Sequence, residues 1–72
     1  MQKEHVCNAL CEARKLKKLT QQELAEKSNV SRQTIISIEK GNYTPSVLLA
    51  LKIARILSKN VEELFFIENN HE

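Results

Sequence analysis

Apolar residues along this chain recur three and four positions apart, in short stretches broken by Ser, Thr, Asn and a single Gly and Pro. That is the pattern of several short amphipathic helices. Val6, Leu10 and Ala13 share a face with Lys17, predicting a first helix from about Glu4 to Lys17 that buries the first three. Leu19 follows as a plug under the next element. Thr20 and Glu23 form a capping box, with Leu19 and Leu24 as its hydrophobic staple, and open a second helix that runs to about Lys27. Leu24 and Ala25 point inward, and Gln22, Glu26 and Lys27 outward. Ser28-Asn29 ends that helix, since Asn tolerates the left-handed conformation of a C-terminal cap. Ser31 caps a third helix, stapled by Val30 and Ile35 and buried through Ile35 and Ile38; Lys40-Gly41-Asn42 stops it. Ser46 caps a fourth helix, Val47 to about Leu57, which carries more apolar residues than one core stripe needs, so part of it is expected to face a partner. Asn60 and Glu63 open a fifth, Val61 to about Phe66. Phe65-Phe66-Ile67-Glu68 has an alternative as a short strand against the N-terminal arm.

Thr20 to Glu39 thus reads as two capped helices and a tight turn, the grammar of a helix-turn-helix that reads duplex DNA. On the second of these helices Arg32, Gln33, Ile36 and Ser37 lie away from the buried face. Arg presents a planar fork that matches guanine O6 and N7, and Gln bonds adenine N6 and N7 in the same two-point way. Arg32 and Gln33 occupy the first turn, where a helix enters the major groove. Ser37 follows Gln33 by one turn, and Ile36 suits a thymine methyl. The bland alternative for each polar residue is an ordinary wet surface.

Seventy-two residues make a single domain, 1–72, small enough to gain stability by association. No 18-residue apolar run and no signal peptide is present, so the expectation is a cytoplasmic protein without membrane contact. The net charge of +2 says little. Its distribution says more. All eleven Lys and Arg precede Asn60 and are accompanied there by five carboxylates, whereas residues 60–72 carry four Glu and no Lys or Arg. A basic body with an acidic end suits a protein that offers one face to phosphate; both charge sets equally suit plain solvation. Cys7 and Cys11, with His5 nearby, are expected at i and i+4 on the first helix. They lack the second ligand pair that tetrahedral zinc requires, and an intrahelical disulfide there is geometrically poor. They read as two thiols at a helix edge, with no metal and no cofactor; the alternative is a thiol redox switch. No Gly-rich phosphate loop, nucleophile triad or carboxylate pair stands out, so no enzyme is expected. His71 falls in a C-terminal tail, residues 67–72, expected to fray.

The stretch LTQQELAEKSNVSRQTIISIEKGNYTPS, Leu19 to Ser46, continued by LALKIARIL and VEELF, resembles the Cro/repressor-type helix-turn-helix family over about residues 8–66. The resemblance implies an all-α, five-helix, lambda-repressor-like fold. It implies that Gln21 grips a phosphate, and that Arg14 pairs with Glu39 to lock the first helix to the third. It also implies that the loop Lys40 to Thr44 touches the backbone of the same half-site. Asn42, Tyr43 and Thr44 carry donors for that, and Thr34 and Lys40 are assigned to phosphate with them. Gly is common in the family where Asn29 and Lys18 stand. Lys18 must therefore turn left-handed or let the first helix end differently. The position of Ile36 is often polar or small, which bears on sequence preference.

A half-site read by three or four side chains gives little specificity, as each bidentate pair is worth roughly 1–3 kcal/mol. A homodimer doubles it and reads a near-palindrome with half-sites about 34 Å apart. Val61, Phe65, Phe66 and Ile67, with the end of the fourth helix, are the expected interface; the alternative is that they close the core of one chain. The functional expectation is a transcriptional regulator of the repressor kind with double-stranded DNA as partner and no small-molecule effector. The alternatives are an antitoxin or a restriction–modification controller using the same module, and a protein-interaction module that has lost DNA.

Overall fold

The structure, a computed structural model, describes residues 3–70, with side chains for residues 6–68. The chain runs β1 (Lys3–Asn8), α1 (Leu10–Leu16), α2 (Gln21–Ser28), α3 (Arg32–Glu39), α4 (Val47–Leu57), α5 (Val61–Leu64) and β2 (Phe65–Asn70). Among the described residues there are five helices, as the periodicity predicts, and four start at the expected residue or next to it. Thr20 accepts the Glu23 N–H at 3.0 Å, while the Glu23 carboxylate accepts the Thr20 N–H at 2.8 Å. The Ser31 hydroxyl accepts the Thr34 N–H, and that of Ser46 accepts the Leu49 N–H, each at 3.1 Å. At α5 the Glu63 carboxylate accepts the Asn60 N–H at 2.8 Å.

The first helix is shorter than its spacing suggested. Residues 3–8 form a strand rather than its opening turns, and they pair antiparallel with β2, Val6 opposite Ile67 and Cys7 opposite Phe66. Two causes act together. The partner segment supplies a ladder of backbone hydrogen bonds that a helix end cannot match. Then Asn8 closes the strand, its side-chain oxygen accepting the Leu10 N–H at 3.2 Å in an Asx-turn that starts α1. Val6, expected in the core, is therefore partly exposed on the ribbon. Cys7 and Cys11 do not share a helix. The C-terminal segment follows the strand alternative: α5 ends at Leu64, and residues 67–70, expected to fray, continue β2. His71 lies outside the described residues.

The core gathers Leu10, Leu24, Ile35, Ile38, Ile53, Leu57 and Leu64, with Ala13, Ala25, Leu49 and Ala54 between them and Leu19, Val30, Ile56, Val61 and Phe65 at its edge. Burying each large aliphatic chain contributes about 1.5–3 kcal/mol before entropy is counted. The small residues let α2 approach its neighbours closely, and Ser28, fully buried, donates back to the Leu24 carbonyl at 2.7 Å.

Helix ends carry the backbone strain. Gly41 (φ +81°), Asn29 (φ 62°), Lys18 (φ 60°) and Ser58 (φ 57°) are left-handed. At Lys18 the N–H reaches the Lys15 carbonyl and that of Leu19 reaches Arg14, so α1 closes in the turn that Gly usually makes. The left-handed option for Lys18 is the one taken.

Candidate nucleic-acid interface

α3 is held firmly at one end and lightly at the other. At its start only Ser31 caps it, and the Ser31 and Thr34 hydroxyls lie 2.9 Å apart. At its end the Gly41 N–H bonds the Ile38 carbonyl and the Asn42 N–H bonds that of Ser37, both at 2.9 Å, completing a Schellman cap. A Cβ at Gly41 would meet nothing, so glycine serves the backbone there, not the packing.

Beneath this end lies the ion pair. Arg14 and Glu39 side chains are only 9% and 7% exposed, and the guanidinium Nε donates to one carboxylate oxygen at 2.6 Å. Arg14 Nη2 reaches the other oxygen at 3.3 Å, and Nη1 donates to the Leu19 carbonyl at 2.8 Å. One side chain thereby ties α1 to the last turn of α3 and to the α1–α2 link. The hydrogen bonds it donates to Glu39 hold the guanidinium above its already high ordinary ionisation range, against burial, which pushes the other way. The amide nitrogen of Gln21, at the start of α2, also donates to Glu39, at 3.0 Å. That leaves its second N–H free for another acceptor.

Two of the four base-reading candidates, Arg32 and Gln33, are exposed; Ile36 and Ser37 are half-buried. Gln33 and Ser37 join Ser31, Thr34, Asn42 and Tyr43 around a shallow groove of about 270 Å³ along α3. Arg32 and Ile36 lie outside it. Lys40 and Thr44 line a different cleft, with Glu39, Gly41 and residues 6–8 of β1. Among the interface candidates, Val61 and Phe65 are half-buried, whereas Phe66 and Ile67 are exposed on the ribbon. Val61 and Phe65 line an open apolar groove of about 610 Å³ with Val6, Pro45, Val47 and Leu51. Along its rim the first turns of α4 present Val47, 77% exposed, Leu48, 64%, and Leu51, 53%. The surplus apolar residues of α4 thus face out at its beginning, not at its end.

Asn8 is the residue that the pattern did not single out. Its amide nitrogen donates to the Ile38 carbonyl at 2.9 Å. An Asn followed by an apolar periodic run was the available signal, hidden because Val6 extended the helical spacing across it.

Two short helices joined by a tight turn over a shared core, the second presenting an exposed Arg and Gln in its first turn, define a helix-turn-helix protein. The comparisons agree. The helix-turn-helix family profile matches residues 12–64. An uncharacterized HTH-type transcriptional regulator of Methanocaldococcus jannaschii is 51% identical over 63 residues, 88% of this chain and 96% of that protein. Another, from Methanothermobacter thermautotrophicus, is 50% identical over 60 residues, 82% of this chain and 87% of that one. Among solved structures, the clp gene regulator ClgR of Corynebacterium glutamicum is similar at a TM-score of 0.72 and 33% identity, over 76% of this chain and 58% of that one. The restriction-modification controller protein C.AhdI of Aeromonas hydrophila gives 0.70 and 33%, over 75% and 82%. The chain belongs to the Cro/repressor-type helix-turn-helix family of transcriptional regulators.

Proposed function

We propose that this protein binds a near-palindromic operator in double-stranded DNA as a homodimer, with α3 in the major groove, and represses transcription from the site it covers. It acts in the cytoplasm as a binding protein, not a catalyst. The observation that carries this reading is the free end of α3. Arg32 and Gln33, without a hydrogen-bond partner among the described residues, project from a helix whose other end is clamped, and Ser37, Asn42 and Tyr43 continue the polar surface beside them. Arg32, Gln33, Ile36 and Ser37 are assigned to bases. Gln21, through its spare N–H, is assigned to phosphate with Thr34, Lys40, Asn42, Tyr43 and Thr44.

The dimer surface is the apolar groove and its rim. Val61 and Phe65 line the groove with Val47 and Leu51, and Leu48 stands beside it, so one patch offers both knob and hole to a second copy about a two-fold axis. Phe66 and Ile67, on the neighbouring ribbon, extend it.

The likeness to a restriction-modification controller favours one second reading, in which the same dimer times expression of a methyltransferase–endonuclease pair. Adjacent genes for such a pair support it, and their absence removes it.

In vitro selection of bound DNA tests the first reading. It is expected to return a two-fold symmetric site. Arg32→Ala is expected to relax one base pair per half-site and to cost about 1–3 kcal/mol. An unchanged preference in the Arg32 variant sinks the assignment of this helix face.

A further inference from the structure

We infer that Asn8 is a positioning residue for sequence reading: it fixes the orientation of α3 from the entry to α1, without touching DNA. The inference rests on the DNA-binding reading above. Asn8 uses both ends of its amide. The oxygen accepts the Leu10 N–H at 3.2 Å and the nitrogen donates to the Ile38 carbonyl at 2.9 Å. That carbonyl already accepts from Gly41, so Asn8 fills its second lone pair. The next residue, Ala9, donates its N–H to the Leu64 carbonyl at 2.9 Å, which anchors this junction to α5.

The geometry explains why one tether does not suffice. Arg14 and Gln21 both hold α3 through one side chain, that of Glu39, and attachment through a single side chain permits rocking about it. Asn8 adds a second attachment on the main chain of the preceding residue. Arg32 lies about 9 Å from Ile38 along α3, so a tilt of about 5° at Ile38 carries it about 0.8 Å. A two-point contact with a guanine does not survive that displacement at both atoms.

The test uses the full chain and two variants. Asn8→Ser keeps a short acceptor for Leu10 but cannot reach Ile38. Asn8→Asp keeps the acceptor and replaces the donor with a carboxylate. Affinities for the selected operator and for a scrambled duplex are measured at one salt concentration, where circular dichroism shows each variant folded. Operator affinity is expected to fall about fivefold in Asn8→Ser and further in Asn8→Asp, with the scrambled duplex bound as before. The loss is also expected to shrink in an Arg32→Ala background, a coupling that a purely structural role would not produce. Unchanged discrimination in both variants, or a loss that ignores Arg32, overturns the role of Asn8 and leaves DNA binding standing. A wild-type protein with no operator preference overturns both.

Discussion

The Arg14–Glu39 bridge makes the sharpest prediction. Arg14→Met removes three donors at once: two from Glu39 and one from the Leu19 carbonyl. Glu39, only 7% exposed at its side chain, is left with the single N–H of Gln21. Stranding a buried charge in this way costs about 3–5 kcal/mol. A chain of this length holds about 4–11 kcal/mol in all, at roughly 0.05–0.15 kcal/mol per residue. The single substitution therefore consumes a large part of the total. In urea, with a slope of about 1–1.5 kcal/mol per molar, the midpoint is expected to fall by about 2 M or more.

The double variant Arg14→Met with Glu39→Leu removes the stranded charge and is expected to return to within about 1 kcal/mol of wild type, because a buried pair contributes little net stability over apolar replacements. Its operator preference is expected to stay impaired, since α3 has lost its tether. Neither outcome should depend on pH from the arginine side. The guanidinium is raised in the folded state, so its contribution is complete below its unfolded value and lost only as pH climbs through the folded one, far above about pH 6 to 9. A loss below about 1 kcal/mol in the single variant, read from urea unfolding followed by circular dichroism, would show that water replaces Arg14 and refute the argument.

Three further outcomes follow from particular residues. Lys18→Gly relieves a left-handed lysine and, after the added freedom of the unfolded chain, is expected to stabilise by about 0.5 kcal/mol, a rise in Tm of about 3 °C by calorimetry. The Cys7 thiol donates to the Glu68 carboxylate at 2.8 Å, which, with burial and the nearby charge, holds the thiol above its ordinary range. Glu68→Gln removes that charge, so more thiolate forms at pH 8 and alkylation of Cys7, followed by mass spectrometry, is expected to quicken. Leu51→Asp places a charge on the exposed rim of the apolar groove and is expected to shift sedimentation from dimer to monomer at micromolar concentration; an effect only from Phe66→Ser would move the interface to the ribbon.

The helix starts were legible because capping is local. Thr20 and Glu23, Ser31 and Ser46 each satisfy N–H groups within three residues, so the sequence window contains the whole interaction. Asn29 and Gly41 were legible for the same reason. Ser58 was not, since nothing about a serine announces a left-handed turn. The ribbon failed for the opposite cause: Cys7 and Glu68, which meet across it, are 61 positions apart. Val6, Leu10 and Ala13 fit a helical face as well as any true one, and only a partner strand decides between the two. At the candidate site, exposure of Arg32 and Gln33 followed from the burial of Ile35 and Ile38. That Gln21 also braces Glu39 did not follow from its position at the start of α2.

The distribution of polar contacts along α3 separates two tasks within eight residues. Its last turn is held through the Ser37 and Ile38 carbonyls and the Glu39 carboxylate, by the cap that follows, by Asn8, by Arg14 and by Gln21. Its first turn is held only by Ser31, and the side chains of Arg32 and Gln33 make no hydrogen bond among the described residues. A helix clamped throughout would spend its reading side chains on its own fold. One free throughout would lose the angular precision that two-point base contacts demand. Clamping one end and freeing the other lets residues 32 and 33 vary within about 0.5 kcal/mol of stability, while residues 8, 14 and 39 carry the orientation. On the proposed reading, a family member can change the base it reads at the free end without rebuilding the clamp that aims it.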